Sequence, residues 1–107
     1  MLAVVGLLAA IAVPSVVGVV TRAEEAALRE NLAVMRRALD DHFADAGTYP
    51  PDLETLVERR YIRFVPDDPV AAPDAGWDAV PHLDGGVADV RSTSSEAGTD
   101  GRPYSEW

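Results

Sequence analysis

Residues 1–45 read MLAVVGLLAAIAVPSVVGVVTRAEEAALRENLAVMRRALDDHFAD, and this stretch decides the fold. From Met1 to Val20 it is apolar, with Ser15 as its only hydroxyl and no charge before Arg22. Twenty such residues at about 1.5 Å rise reach roughly 30 Å, the thickness of a bilayer's hydrocarbon core. The run predicts a membrane helix. A cleaved secretory signal would carry a basic leader and a shorter apolar stretch of roughly 7–15 residues. Burial inside a protein core is the plainer alternative, but the remaining residues, about 86, are too few to wrap a helix that is apolar on every side.

Between Gly18 and Gly47 there is neither Gly nor Pro, and the run is rich in Ala, Leu, Glu and Arg, the better helix formers. Leu28, Leu32, Met35, Leu39 and Phe43 recur at helical spacing and form one apolar stripe. Glu25, Arg29, Arg36, Arg37, Asp40 and Asp41 are assigned to the opposite face. One helix is therefore expected from about residue 2 to about residue 45, changing near Thr21 from apolar all round to amphipathic. Two units follow: residues 1–21 as the membrane half, in lipid or in contact with other helices, and residues 22–107 as a small globular domain.

Seven of the eight prolines and six of the eight glycines lie from Gly47 onward, so the second half is built of loops and short elements. Gly47 is placed to end the long helix in a left-handed cap, with Pro50 and Pro51 preventing its resumption. Asp52 is expected to cap a short helix from Leu53 to about Arg60, with Leu53, Leu56 and Val57 facing inward. Pro66-Asp67-Asp68-Pro69 is turn chemistry. Trp77–Leu83 and Val87–Arg91 alternate as strands, joined through Asp84-Gly85-Gly86 as a hairpin loop. Trp107 is expected to pin the polar tail, Ser92–Trp107, to the domain.

Composition removes several functions. With 9 Lys+Arg against 18 Asp+Glu and a net charge of -9, there is no basic footprint for nucleic acid. All nine basic residues are Arg. No cysteine is present, which excludes a disulfide framework and thiolate chemistry. His42 and His82 lie in no nucleophilic motif and read as structural or solvated residues. Glu24-Glu25, Asp40-Asp41 and Asp67-Asp68 are adjacent in sequence, and neighbours on a helix do not face one another. Neither a phosphate-cradling loop nor metal-ligand spacing occurs. An enzyme is not expected.

Order and spacing of short motifs resemble the type IV pilin and type II secretion pseudopilin superfamily, and within it the major, G-type pseudopilin. The residues that carry the likeness are Gly6 and Ile11-Ala12-Val13-Pro14 in the apolar helix, then Asn31-Leu32 and Met35-Arg36-Arg37-Ala38-Leu39. They continue with Gly47-Thr48-Tyr49-Pro50 followed by Leu53 and Leu56, and with Val65-Pro66 and Asp68-Pro69. Asp100-Gly101-Arg102-Pro103-Tyr104-Ser105-Glu106-Trp107 closes the series. The resemblance implies an α+β, pilin-like fold: a long N-terminal helix packed on a small domain with a short helix and a small antiparallel sheet.

It further implies a structural subunit of a pseudopilus, a homopolymer formed through the N-terminal helix that helps export folded proteins. Its partners would be further copies, minor pseudopilins, the inner-membrane assembly platform and the membrane itself, with no nucleic acid. The location implied is the bacterial inner membrane, single-pass, with the globular domain and the assembled filament in the periplasm. An apolar helix leaving lipid must be buried against its copies. Leu2, Val5, Gly6, Leu8, Ile11, Pro14 and Val17 are the expected packing surface, a plain lipid anchor being the alternative. Other readings of the chain are a type IV pilin for adhesion, motility or DNA uptake, and a monomeric membrane-anchored binding module.

Two features depart from the family pattern. A basic leader, a Gly-Phe cleavage site and an early glutamate are missing, so Met1 is expected to fall inside the mature start. Major pseudopilins hold calcium in an acidic C-terminal loop, whereas Ser94–Gly101 carries only Glu96 and Asp100 as carboxylates. Calcium takes about six to eight oxygen ligands. It is left unassigned here, and no cofactor is expected.

Overall fold

The computed structural model describes residues 21–107 and, ahead of them, the helical course of the chain from Leu2. The side chains before Thr21 lie outside the described residues. So do the packing positions Leu2, Val5, Gly6, Leu8, Ile11, Pro14 and Val17.

One helix, α1, spans Leu2–Ala46. It ends where the sequence places its stop: Gly47 has φ 75°, and its N–H donates to the Phe43 carbonyl at 2.8 Å. Glycine adopts this left-handed cap without the Cβ clash other residues meet. A short helix, α2, spans Glu54–Glu58. Asp52 caps it from two residues ahead, its Oδ1 accepting both the N–H and the Oγ1 hydroxyl of Thr55 at 2.8 Å. The helix is shorter than expected because Leu53 belongs to the entering turn and Arg59-Arg60 to the exit. There the Tyr61 N–H returns to the Leu56 carbonyl at 2.9 Å and the Arg60 N–H to the Val57 carbonyl at 3.1 Å.

A two-stranded antiparallel sheet completes the α+β domain: β1, Trp77–Pro81, pairs with β2, Val87–Ser92. The expected first strand, running to Leu83, stops earlier. Pro81 has no N–H to continue the ladder, and the register shifts between Val80 and Pro81. The connecting loop is therefore 82–86, closed by His82 N–H to the Gly86 carbonyl at 2.9 Å. Gly86 is required in this loop: its φ is 83°, and a Cβ would lie 2.6 Å from the Tyr49 carbonyl oxygen. Next to it, the Val87 N–H donates to the Pro50 carbonyl at 2.7 Å, tying the sheet to the loop that follows α1.

The core lies between α1 and β2 in two adjoining clusters. Leu28, Leu32 and Met35 pack with Val90 and Tyr104; Ala38 and Leu39 pack with Leu56 and Val87, and Leu53 bridges the clusters. Each fully buried apolar side chain contributes about 1.5–3 kcal/mol relative to exposure.

Phe43 corrects the expected stripe: it is 42 % exposed, and the adjacent His42 is buried in its place. At about 100° per residue the two flank the stripe on opposite sides, and the domain covers the His42 side. Glu25 and Arg36 correct the expected polar face. Glu25 is 2 % exposed and Arg36 is half-buried. The C-terminal tail covers Glu25, while β2 together with the last residue, Trp107, covers Arg36.

Candidate assembly surface

The tail is fastened to α1 by a carboxylate. Glu25 accepts three hydrogen bonds: Thr99 N–H at 2.9 Å, Thr99 Oγ1 at 2.6 Å and Tyr104 OH at 3.2 Å. Gly98 makes the approach possible, since a Cβ there would lie 2.5 Å from the Trp107 ring and 3.0 Å from Glu25 Oε2. Burial pushes the Glu25 carboxyl up, but the Thr99 and Tyr104 hydrogen bonds and the Arg29 charge together hold it below the ordinary value of 4.5. Conversely, burial and the neighbouring carboxylate raise the Tyr104 phenol. Glu25 is thus ionised and fully bonded at neutral pH.

Three turns along α1, Arg36 makes the second fastening. Its Nε donates to Asp89 Oδ1 at 2.8 Å, while Nη2 reaches the Val90 carbonyl at 3.0 Å and the Trp107 carbonyl at 3.3 Å. Arg29 stacks over the Trp107 ring at 4.5 Å, and the same ring meets Tyr104 edge-on at 5.1 Å. Trp107 does pin the tail, and arginines on α1 hold it there.

Of the two carboxylates in the loop 94–101, Asp100 is occupied otherwise. Asp100 turns both oxygens on Arg102, accepting the backbone N–H and the Nε, each at 2.9 Å. These bonds hold its carboxyl below the usual 3.8. Glu96 is exposed, and no three His, Asp or Glu side chains among the described residues cluster as metal ligands. His42 Nδ1 lies 2.7 Å from the Thr48 carbonyl, which requires a donating tautomer. His82 accepts the Asp84 N–H at 3.1 Å and packs on Tyr49.

Besides Phe43, two large apolar side chains stay exposed on the described surface. Phe64 is 69 % exposed and Leu83, in the hairpin loop, is fully exposed. Phe64, Tyr61, Ile62 and Pro66 border a groove of about 270 Å³ against Asn31 and Val34 of α1. Tyr61 is anchored there by its hydroxyl, which donates to Asp45 Oδ2 at 2.6 Å.

Comparison with protein-family models, with curated proteins and with solved structures finds no match. The functional reading therefore rests on the chain's own chemistry. Among the described residues no helix is long and apolar enough to cross a membrane, and the Met1–Val20 run lies outside them.

Sequence reasoning missed Glu25 and Arg36 because helical periodicity sorts charged residues outward. One signal pointed to Glu25. It stands a single turn before Leu28, the first core position of the stripe, where a chain returning along the helix would cover it.

Proposed function

We propose that this chain is a pilin-like structural subunit of a type II secretion pseudopilus. It polymerises through its N-terminal helix and carries no catalytic site. The observation that supports this is the division of labour along α1. Its second half is buried in a domain closed on itself by Glu25 and Arg36, while Met1–Val20, continuous with it, is apolar by sequence. A helix with that composition is insoluble alone and must be covered by lipid or by copies of itself. Moving from one cover to the other is what a filament subunit drawn out of a membrane does.

In this reading the subunit sits in a bacterial inner membrane with its domain in the periplasm, and it contacts minor pseudopilins and an assembly platform. The test is to produce the full chain together with a secretion platform, isolate membranes, and image sheared material by electron microscopy. Filaments with the domain outward are expected. A chain that stays monomeric in the membrane would instead be an anchored binding module, and a surface fibre that retracts would be a pilin.

A further inference from the structure

The segment after α2, Arg59-Arg60-Tyr61-Ile62-Arg63-Phe64, is the basic part of an acidic molecule. It holds three of nine Lys+Arg in a chain of net charge -9. Among the described side chains the arginine ion pairs join Arg36 to Asp89 and Arg102 to Asp100, leaving Arg60 and Arg63 without an acid. Arg60 also stands at φ 65°, a left-handed position that glycine fills without strain. That position is the C-terminal cap of α2, closed by the Arg60 and Tyr61 N–H bonds to the Val57 and Leu56 carbonyls, and it turns the Arg60 side chain out of the helix at an exposed site.

The groove beside it, about 270 Å³, is lined mainly by apolar side chains, Val34, Ile62, Phe64 and Pro66 among them. A protruding apolar side chain fits such a lining. The complement is present elsewhere on the same chain. In the loop between β1 and β2, Leu83 is fully exposed, and the adjacent Asp84 side chain is 94 % exposed. An apolar knob next to an acid matches an apolar groove that has Arg63 in its lining and Arg60 in the adjoining hollow, which shares Tyr61, Ile62 and Arg63 with it.

We propose that the hairpin tip of one copy docks in the groove of a second copy, Leu83 against Ile62 and Phe64, and Asp84 against Arg60 and Arg63. This rests on the filament reading above and supplies the contact between its outer domains. The two patches are different surfaces, so each copy offers one tip and one groove and the contact repeats without closing. Val34 borders the groove, and Phe43 lies by the hairpin loop. Two and a half helical turns separate them on α1, which places them on opposite sides and about 13 Å apart along the axis. With their α1 helices parallel, successive copies are stepped by roughly that distance.

The absence of cysteine makes the test clean. Full-length chains carrying Phe64→Cys and Leu83→Cys, differently tagged, are produced together in membranes and mildly oxidised. A disulfide-linked dimer of the two tags is expected, and a ladder from the doubly substituted chain. Asp84→Arg should lower the ladder at least tenfold, and adding Arg63→Asp to it should restore most of the loss. Arg60→Gly should raise the melting temperature while weakening the ladder several-fold, which separates docking from folding.

Filaments of the wild type without this cross-link, a symmetric Leu83→Cys dimer, or an adduct to another protein would each overturn the contact and leave the filament reading standing. The cross-link without filaments would uphold the contact and remove the filament reading. Neither filaments nor cross-link would remove both.

Discussion

Glu25 shows how a single charge closes the domain. Its folded carboxyl titrates below the ordinary value of 4.5, so the tail's fastening is complete above that pH and is lost as pH falls through the lower folded value. Thermal stability should accordingly be flat near neutrality and decline in acid below about pH 4.5, with Glu25→Gln showing a shallower decline. Asp52 and Asp100, also held low by their hydrogen bonds, leave a residual slope in that variant. Glu25→Leu removes the acceptor from the Thr99 N–H and the Tyr104 hydroxyl and should cost about 2 kcal/mol. The loss should also appear as a change in Trp107 fluorescence, measured with Trp77 replaced by Phe. An unchanged spectrum with unchanged stability would show that the tail is held by other contacts.

At the scale of elements, the hairpin depends on one close approach. Gly86 combines a positive φ with a carbonyl 2.6 Å from where a Cβ would sit, so Gly86→Ala meets strain and a clash with rigid backbone together. A cost of at least about 2 kcal/mol is expected from denaturant unfolding. Gly85, also at positive φ but with nothing near its missing Cβ, should lose less on the same change. The comparison isolates the contact between the hairpin and the loop after α1. Asp52→Ala should lower the melting temperature slightly, because Thr55 loses its acceptor at the start of α2.

For the whole molecule, the arrangement predicts a domain that stands alone once the apolar half is removed. A chain beginning at Arg22 should be a soluble, folded monomer in analytical ultracentrifugation, since Leu28, Leu32, Met35 and Leu39 are covered by the domain's own side chains. Obligate oligomers of that piece would show that the stripe is shared between copies. Leu39 is fully buried, and Leu39→Asp places a carboxylate there with no partner. That costs several kcal/mol, comparable with the roughly 5–15 kcal/mol that small domains possess, and should abolish cooperative unfolding.

The long helix, its glycine cap, the Asp52 cap, the hairpin and the Trp107 anchor were legible in the sequence, because each follows from local chemistry: periodicity, backbone freedom, or a side chain reaching a neighbouring N–H. Periodicity also ranked Phe43 as core and Glu25 and Arg36 as surface, and there the tertiary structure decided otherwise. Glu25 and Phe43 lie on one line of α1, five turns of about 3.6 residues apart. The tail crosses that line at Glu25 with three hydrogen-bond donors and does not reach Phe43, which meets the Tyr49 ring and solvent. Helical spacing sets the direction in which a side chain points, but what it meets there depends on a segment more than seventy residues away in the chain.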